Sequence, residues 1–380
     1  MDFELTEDLR LLQRTARDFA DGVLKPAAAR LDREEKFPRE HWKAVAEMGF
    51  LGMLIPEEYG GSGLGNLALA VMLEELNRAC ASTGVTVSVQ NSLLGAPILK
   101  HGTEEQKRRY LPRLASGEVI GAYAITEPGH GSDAGAIETV AKRKGDCFIL
   151  TGTKAWITSG ASAGLIIVFA TTDRVAGSRG ITAFLVEAGT PGLSVGKHEK
   201  KLGIRGSETV ELILDGVEVP AANVLGEEGK GFRLALDTLD GGRIGISAQA
   251  TGIIAACLED SVKYARERKQ FGKQIAEFQP IQWKLSSMAL DLDAARLLTW
   301  RAAWLKDAGL PHTKEASMAK LFASEAANRA ATDAVQIHGG AGYCKDFAVE
   351  RYYRDAKITE IYEGTSEIQR LVIARRVLDT

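Results

Sequence analysis

The chain falls into three stretches that differ in the spacing of their hydrophobic residues. Up to about residue 118, apolar residues recur every three or four positions, as in Leu9, Leu12, Ala16 and Phe19, which is the spacing of an amphipathic helix. Thr6 stands before this run, where a helix cap is expected. The same spacing predicts further helices over residues 39–48, 68–78 and 103–114.

The middle stretch, to about residue 225, has a different pattern. Short segments rich in β-branched and aromatic residues are separated by Gly, Asp, Ser and Pro, and they cover residues 148–151, 155–158, 165–171, 182–186 and 208–214. Residues 215–220 add a turn signal and a stop. Short segments at this spacing are typical of an antiparallel β-barrel or sandwich.

Long helical patterns return from residue 231 onward. Ile281, Leu285, Met288 and Leu292 lie three or four residues apart, and the spacing continues to residue 298, for about five turns. Pro311 breaks the pattern before an alanine-rich helix predicted over residues 314–338. Two long amphipathic helices with short connections imply a helical bundle.

The sequence therefore predicts an α+β fold of three domains. An N-terminal all-α domain is expected over residues 1–118, a middle antiparallel β-barrel or sandwich domain over residues 119–228, and a C-terminal four-helix-type bundle over residues 229–380. The length of 380 residues exceeds the size that a single hydrophobic core usually serves, which agrees with this division.

Composition narrows the classes of function. The net charge of -3 argues against a nucleic-acid binder, which normally has a basic face. The four cysteines form no CxxC and the six histidines no HxxxH, so we expect neither disulfides nor a metal site. No apolar run is long enough to span a bilayer, and the acidic start is unlike a targeting peptide. We expect a cytoplasmic bacterial protein or, as the second option, a mature mitochondrial matrix protein.

A polar loop near the C-terminus offers a candidate catalytic carboxylate. Ser366 and Gln369 have capping-box spacing, so a helix is predicted to begin there, with Glu363 just outside its positive end. A carboxylate fixed on a loop in this way suits a general base. The alternative is plain compensation of the helix dipole, and the local sequence does not decide between the two.

A polar loop of the middle stretch, residues 123–133, suits a ring-shaped ligand. It follows a predicted strand, and Thr126, Ser132 and backbone groups can hydrogen-bond a heterocycle. Gly129, Gly131 and Ala134 also match the dinucleotide fingerprint GxGxxA. We reject that interpretation because no long helix follows and no acidic residue stands about 20 positions further on. The alternative for this loop is an ordinary surface turn.

Residues 154–160 offer a second surface for a flat ring. Trp156 has a large planar face, and Thr158 places a hydroxyl two residues on, hence on the same face of a strand. A half-buried core tryptophan explains Trp156 nearly as well.

Three further clusters lie in the helical stretch. Residues 240–243, Asp-Gly-Gly-Arg, are predicted to open a helix, where adjacent glycines admit a ligand and Arg243 can pair with a phosphate or carboxylate. Residues 266–273 form a charge run, which is more often a solvated face. Gly339, Gly340 and Gly342 follow the alanine-rich helix; a C-cap explains one of them, and the others indicate close packing.

Taken together, these segments resemble the acyl-CoA dehydrogenase family over essentially the whole chain. Residues 124–133, Ala-Ile-Thr-Glu-Pro-Gly-His-Gly-Ser-Asp, are similar to the family's first signature. Residues 336–343, Gln-Ile-His-Gly-Gly-Ala-Gly-Tyr, continued by Asp346, Arg351 and Asp355, are similar to its second signature. The match is closest to the short-chain and medium-chain members.

The resemblance implies FAD as the cofactor, in a site shared between the subunits of a homo-oligomer, usually a homotetramer in this family. The residues that match FAD-binding positions are Tyr123, Ala124, Ile125, Thr126, Gly131, Ser132, Trp156, Ile157, Thr158, Arg268, Gln279, Gln336, Ile337, His338, Gly339, Gly340, Thr365, Ser366 and Glu367. Those that match acyl-CoA-binding positions are Ser132, Asp240, Gly241, Gly242, Arg243 and Gly364. An electron-transfer flavoprotein is implied as the acceptor of the electrons.

The resemblance also implies the reaction, which is α,β-dehydrogenation of a saturated acyl-CoA thioester to the trans-2-enoyl-CoA. Glu363 occupies the family's commoner position for the base that removes the α proton while hydride leaves the β carbon for flavin N5. Relatives resembling isovaleryl-CoA dehydrogenase carry the glutamate near residues 240–243, where this chain has none. Two alternatives stay open: an acyl-CoA oxidase that passes electrons to oxygen, and a non-catalytic flavin or acyl-CoA binding protein.

Overall fold

The first part of the chain is helical, as its apolar spacing predicts. A computed structural model describes residues 4–378, so the outermost residues of the predicted first and third domains lie outside the description. Thr6 Oγ1 accepts a hydrogen bond from the Leu9 N–H at 3.3 Å, and Thr103 and Gln106 form a reciprocal capping box. The helices are α1 (Glu7–Phe19), α2 (Lys25–Glu34), α3 (Arg39–Glu47), α4 (Gly65–Ala79), α5 (Ala81–Ser88), α6 (Ala96–His101) and α7 (Glu104–Ala115).

A π-helical turn, Val89–Gly95, joins α5 to α6 and fastens this helical layer to the middle of the chain. The buried side-chain amides of Gln90 and Asn91 hydrogen-bond backbone groups outside this turn. The Gln90 side chain donates to the Leu114 carbonyl at 2.9 Å and accepts from the Gly121 N–H at 2.9 Å. The Asn91 side chain donates to the Phe50 carbonyl at 2.8 Å. Because these donors and acceptors are buried, losing either amide would leave backbone groups unpaired.

The middle of the chain is one mixed sheet in the order β6-β7-β3-β2-β4-β5-β8, with β1 paired to β4 off this path. Its strands are β1 (Gly121–Ala124), β2 (Val140–Lys144), β3 (Cys147–Thr158), β4 (Leu165–Thr171), β5 (Ile181–Glu187), β6 (Leu193–His198), β7 (Thr209–Pro220) and β8 (Val224–Leu225). Phe148 of β3 and Phe184 of β5 meet at 5.1 Å between ring centroids, within one apolar cluster that joins the two halves of the sheet.

The sheet differs from the prediction in two respects. It does not close into a barrel, because β6 and β8 end the path of strands. The pairs β1–β4 and β2–β4 are parallel, whereas antiparallel pairing was expected. Pairing between strands so far apart in sequence depends on the path of the connections, which residue spacing does not encode.

Two predicted strand ends are also wrong. The segments at 148–151 and 155–158 form one strand, β3, because Gly152 (φ +156°) and a second irregularity before Ile157 absorb shifts of register against β7. The predicted turn at residues 215–216 does not end β7, in which Gly216 has a φ of +68°, whereas the stop predicted at Pro220 is where β7 ends. Bulges of this kind let a strand change direction without ending.

The last part of the chain is a helical bundle. Its elements are α8 (Gly231–Glu267), the hairpin strands β9 (Lys269–Gln270) and β10 (Lys273–Gln274), α9 (Gln279–Asp307), α10 (Thr313–His338), α11 (Val349–Ile358) and α12 (Ser366–Leu378). Pro311 separates α9 from α10, as predicted. Helix α4 crosses α8 closely, since a Cβ built on Gly252 would lie 2.4 Å from the Glu74 carbonyl oxygen. No helix within residues 4–378 is long and apolar enough to cross a membrane.

Residues 240–243 do not open a helix, contrary to the prediction. They lie within the 37-residue helix α8. Gly241, Gly242 and Arg243 are all buried there. Adjacent glycines disfavour an isolated helix, but packing on several sides of α8 outweighs this local preference.

A buried ion pair fixes the polar loop that follows β1. The Lys154 side chain is fully buried, and its Nζ donates to Glu127 Oε1 at 2.7 Å and to the Ile125 carbonyl at 3.1 Å. Glu127 also accepts hydrogen bonds from the N–H groups of Glu138 and Thr139. Burial lowers the pKa of Lys154 to about 8, although the Glu127 charge opposes this shift. The hydrogen bonds of Lys154 therefore hold residues 125–127 against β3.

Lys154→Met should therefore destabilise the fold strongly. The substitution leaves the Glu127 carboxylate buried without its cation, which costs about 3–5 kcal/mol of unfolding free energy. Urea denaturation at pH 7 measures the difference. Lys144→Met is the control, because Lys144 is exposed on the neighbouring strand, and such a change alters stability by about 0.5 kcal/mol or less. Equal shifts for the two variants would contradict the role given to the pair.

Candidate active site

A cavity of about 730 Å³ lies where the sheet, α8 and α12 meet. Its apolar wall is formed by Val85, Val89, Leu93, Phe232, Leu236 and Leu239. Of the residues singled out from the sequence, the cavity brings together Tyr123, Ile125, Thr126, Gly131, Ser132, Trp156, Ile157, Thr158, Arg243, Glu363 and Gly364. Residues from β1, β3, α8 and the loop before α12 thus meet at one place.

A second cavity, of about 550 Å³, shares part of this lining. The shared residues are Thr126, Gly131, Ser132, Trp156, Thr158, Tyr362, Glu363 and Gly364. Its other walls come from residues 199–204, from α11 and from Thr365. Each volume is typical of a small-molecule site, and the two sites adjoin at the indole of Trp156 and at Glu363.

Trp156 reaches the cavities through an irregularity in β3. The register against β7 shifts between Lys154 and Ile157, and Trp156 itself has a φ of +56°. The backbone before it is fixed, since the Ala155 N–H donates to the Thr126 carbonyl at 2.9 Å. Trp156 nevertheless keeps 54% of its surface exposed. An exposed indole beside hydroxyl groups is the kind of surface on which a flat heterocycle can stack.

Glu363 stands on a tight turn whose backbone is strained. Its φ is +53° and that of Gly364 is +93°. The left-handed region is unfavourable for a residue that carries a side chain, and such strain clusters at functional sites. The turn persists only because neighbouring groups hold it.

Helix α12 begins at Ser366, as predicted, but the predicted capping box is wrong. Thr365 Oγ1 accepts from the Ile368 N–H at 3.4 Å, so Thr365 is the cap. Gln369 turns instead toward the strained turn, and its Nε2 donates to the Gly364 carbonyl at 2.8 Å. The side chain expected to cap the helix therefore stabilises the residue after Glu363.

One oxygen of the Glu363 carboxyl is buried without a hydrogen bond. Its Oε2 is sealed from solvent and has no partner within the described residues. Burial raises the pKa of Glu363 to about 7, while the positive charges of Lys320 and Arg243 act in the opposite direction. A carboxyl that titrates near neutrality can accept a proton at physiological pH, which is what a general base requires.

Gly242 of α8 provides the space for this carboxyl. A Cβ built on Gly242 would lie 1.9 Å from Glu363 Oε2 and 3.1 Å from Leu93 Cδ2. Residues 240–243 are also the stretch in which the alternative catalytic glutamate was considered. The two candidate positions for a base thus converge on one point of the cavity, although they are more than a hundred residues apart.

Arg243 presents a buried cation to the same region. Its Nη1 donates to Asp240 Oδ1 at 2.5 Å, and Asp240 Oδ2 accepts from Thr313 Oγ1 at 2.6 Å. Arg243 Nε is buried and has no partner in the described part of the chain. Burial and, secondarily, the Glu363 charge raise the pKa of Tyr123 well above its ordinary range. Arg243 therefore adds positive charge beside Glu363, whereas the Tyr123 phenol stays neutral.

The other residues singled out from the sequence do not line either cavity. They are Ala124, Asp240, Gly241, Gly242, Arg268, Gln279, Gln336, Ile337, His338, Gly339, Gly340, Ser366 and Glu367. Arg268 and Gln279 flank the β9–β10 hairpin, and Tyr264 links this region to the end of α10 by stacking on His338 at 4.2 Å between ring centroids. Arg268, Gln279 and residues 336–340 thus lie together at one end of the bundle, apart from the two cavities.

Sequence reasoning missed two polar groups that hold the Glu363 turn. One is Gln369, whose apparent capping spacing concealed its contact with the Gly364 carbonyl. The other is Lys320 of α10, whose Nζ donates to the same carbonyl at 2.8 Å. The signal for Lys320 was present, because it is a lone charge among the alanines 316, 319 and 323 on the apolar side of a helix.

Comparison with known proteins accounts for this arrangement. Family models of the acyl-CoA dehydrogenase N-terminal, middle and C-terminal domains match residues 6–118, 122–217 and 229–378. The chain is 55% identical over 375 residues to the mitochondrial short-chain specific acyl-CoA dehydrogenase of Mus musculus, covering 99% of this chain and 91% of that protein.

Two solved structures are similar over the full length of both chains. Butyryl-CoA dehydrogenase from Megasphaera elsdenii has 44% identity and a TM-score of 0.98, with 100% of each chain covered. A structure described as an electron transferring flavoprotein of Acidaminococcus fermentans, from work on electron bifurcation, has 47% identity, a TM-score of 0.99 and the same 100% coverage. With all three family models matched as well, the chain belongs to the acyl-CoA dehydrogenase family.

Proposed function

We propose that this protein dehydrogenates short saturated acyl-CoA thioesters between the α and β carbons, with Glu363 as the base. The observation that carries the proposal is the Glu363 carboxyl, which lines a cavity with an apolar wall: its Oε2 is buried without a partner among the described residues, and burial raises its pKa to about 7. An ordinary carboxylate is a weak base for a proton on the α carbon, and desolvation makes this carboxylate a stronger base.

The cofactor is FAD, and the chain offers a surface that fits a flavin ring. The exposed indole of Trp156, with Thr126 and Thr158 beside it, lines both cavities. FAD held here would supply the acceptor for the hydride that leaves the β carbon. The residues that we assign to this ring are Tyr123, Ala124, Ile125, Thr126, Gly131, Ser132, Trp156, Ile157 and Thr158.

The chain's own part in the reaction is to take one proton and to stabilise the charge that follows. Glu363 removes the α proton, which leaves negative charge on the thioester oxygen. The Glu363 backbone N–H makes no hydrogen bond within the described residues, so it is free to donate to that oxygen. One such donor is typically worth about 2.7–4 kcal/mol of barrier reduction. Leu93 belongs to the apolar wall of the cavity that this carboxyl also lines.

A short acyl group is supported by the relatives. The Mus musculus protein is named as short-chain specific and the Megasphaera elsdenii structure as a butyryl-CoA dehydrogenase. The apolar side chains at the end of the cavity limit the length of the acyl chain, because each extra methylene group needs space there.

Butyryl-CoA should therefore reduce the enzyme much faster than hexadecanoyl-CoA. Stopped-flow mixing under anaerobic conditions, followed by loss of flavin absorbance, measures both rates at equal concentrations. We expect at least about a tenfold difference in kcat/KM. A faster reaction with hexadecanoyl-CoA would contradict the assignment of a short substrate.

Glu363→Gln should abolish reduction by butyryl-CoA and leave the rest of the enzyme intact. The amide fills the same space but cannot accept the α proton, so the rate should fall by at least about four orders of magnitude, near the upper limit for acid–base catalysis. The variant should still be yellow and still bind butyryl-CoA in equilibrium titrations.

Glu360→Gln is the matched control for that experiment. Glu360 lies three residues away and pairs with Lys357 at the surface, so its loss should leave the rate within about twofold of the wild type. Normal bleaching in the Glu363→Gln variant would remove Glu363 from the reaction.

We further propose that the enzyme is a homo-oligomer, with a homotetramer as the expected form. Helix α9 carries large apolar residues at every seventh position on its outer face, and they stay 45–71% exposed: Trp283, Leu290, Leu297 and Trp304. A stripe at this spacing is typical of a helix that packs on another helix. A second copy would also supply Arg268, Gln279 and residues 336–340 to a neighbouring FAD, since these residues lie away from the cavities of their own chain.

Leu290→Glu should dissociate the oligomer and weaken FAD retention together. The charge would be buried in the contact between α9 helices without a partner. Light scattering after size-exclusion chromatography gives the mass as a multiple of 40.9 kDa, and the absorbance ratio gives the flavin content. Leu11→Glu is the control, because Leu11 is also exposed, 56% against 71% for Leu290, and it lies on α1 and not on α9. A wild-type monomer that holds a full complement of FAD would contradict the shared site.

An electron-transfer flavoprotein is the acceptor that we propose for the reduced enzyme. The similar Acidaminococcus fermentans structure comes from work on such a flavoprotein, and this supports dehydrogenase rather than oxidase activity. Formation of hydrogen peroxide at the full turnover rate in air would favour the oxidase instead.

A further inference from the structure

Lys320 is a charged residue in a place where charges are rarely found. It lies on the buried side of α10, close to Ala316, Ala319 and Ala323, and its side chain has no exposed surface. A buried ammonium loses its hydration, so it needs partners within the protein. The Lys320 Nζ donates to the Gly364 carbonyl at 2.8 Å, and no carboxylate of the described chain lies within ion-pair distance of it.

The bond from Lys320 reaches the residue directly after the proposed base. Gly364 and Glu363 both have positive φ, which makes this turn unfavourable in isolation. Gln369 also donates to the Gly364 carbonyl, at 2.8 Å. However, Gln369 lies in α12, the helix that directly follows the turn. Lys320 is therefore the anchor that ties the turn to a different element of the bundle.

Lys320 also differs from the second cation beside Glu363. Arg243 of α8 donates to Asp240, whose charge offsets its own. The other titratable groups that face Glu363 are Tyr123 of β1 and Tyr362, and both have a pKa raised well above the ordinary value by burial. Lys320 thus brings a positive charge to this region, and no ion pair with a carboxylate of the described residues offsets that charge.

The groups around Lys320 agree with this role. The acidic residues that act on it are Glu363 first, then Glu360 and Glu367, while Arg243 opposes them. Burial lowers the pKa of Lys320 to about 8 and the Glu363 charge counteracts that shift, so the ammonium stays charged at neutral pH. A cation at this position favours the ionised form of Glu363.

We propose that Lys320 is a positioning residue for the base: it holds the strained turn through the Gly364 carbonyl and places a buried positive charge beside Glu363. The inference rests on the proposed role of Glu363. Lys320 itself lines neither cavity, and it acts on Glu363 through the Gly364 carbonyl.

Lys320→Met tests both parts of the inference. Methionine keeps the apolar stem and removes the donor and the charge. Without the cation the carboxylate is less favourable, so the pKa of Glu363 rises and the base stays protonated over a wider pH range. The midpoint of the rate of flavin bleaching by butyryl-CoA against pH should therefore move up by about one unit or more. At a pH below both midpoints the rate should be at least about tenfold lower than in the wild type.

A second readout follows the turn without any reaction. Hydrogen exchange measured by mass spectrometry should be faster in the Lys320→Met variant for the peptide that spans residues 359–369. Lys284→Met is the control, because Lys284 is a partly buried lysine of the same bundle that pairs with Asp333. It should leave both the midpoint and the exchange of this peptide unchanged.

Lys320→Gln removes the charge but keeps a hydrogen-bond donor. It is the test variant if Lys320→Met does not retain FAD. A neutral donor should reproduce the shift of the midpoint. A rate that falls by the same factor at every pH, with the midpoint unmoved in either neutral variant, would overturn the proposal and leave Lys320 a merely structural residue. A wild type that is not bleached at all would instead overturn the proposed function, so the two failures are distinguishable.

Discussion

The chemistry of this site depends on one constraint, which is that Oε2 of the Glu363 carboxyl is removed from water and accepts no hydrogen bond from the described residues in return. Desolvation raises its pKa to about 7, and a buried charge without a partner is among the costliest arrangements in a protein. Neighbouring residues accommodate this carboxyl. Gly242 leaves room for it, and the positive charges of Lys320 and Arg243 lower the free-energy cost of its ionisation.

The same constraint works against stability. An exposed glutamate of the unfolded chain titrates near 4.5, whereas the native carboxyl titrates at about 7. Between these values the native state retains a proton that the unfolded chain has lost, so the contribution of Glu363 to stability falls as the pH rises. The strained backbone at Glu363 and Trp156 adds to the cost. Such local losses are tolerable because the large cores of α8, α9 and α10 and of the sheet supply stability elsewhere.

Residue spacing predicted the elements well, and it predicted their pairing poorly. The start of α1 at Thr6, the break at Pro311 and the α, β, α order follow from local rules of capping and periodicity, which the structure confirms. The parallel pairing of β1 with β4 and the continuation of β7 through Gly216 depend on tertiary contacts. Adjacent glycines at 241 and 242 suggested the start of a helix, although packing keeps them inside α8.

The candidate site shows the same difference between features that local sequence predicts and features that depend on tertiary contacts. Glu363 and the loops around Thr126 and Trp156 were identified from motifs, and the fold brings them to adjoining cavities. Lys320 and the true contact of Gln369 were missed, because a buried contact between distant elements leaves only a faint trace in one sequence. The pKa of Glu363 is likewise a property of the folded surroundings.

Infrared difference spectroscopy of the purified, FAD-loaded protein tests the central claim most directly. The C=O band of a protonated glutamic acid, assigned by its absence in the Glu363→Gln variant, should disappear with a midpoint at a pH near 7, as the buried carboxyl requires. A midpoint below pH 5, in the ordinary range of an exposed glutamate, would contradict the claim that desolvation makes Glu363 the base.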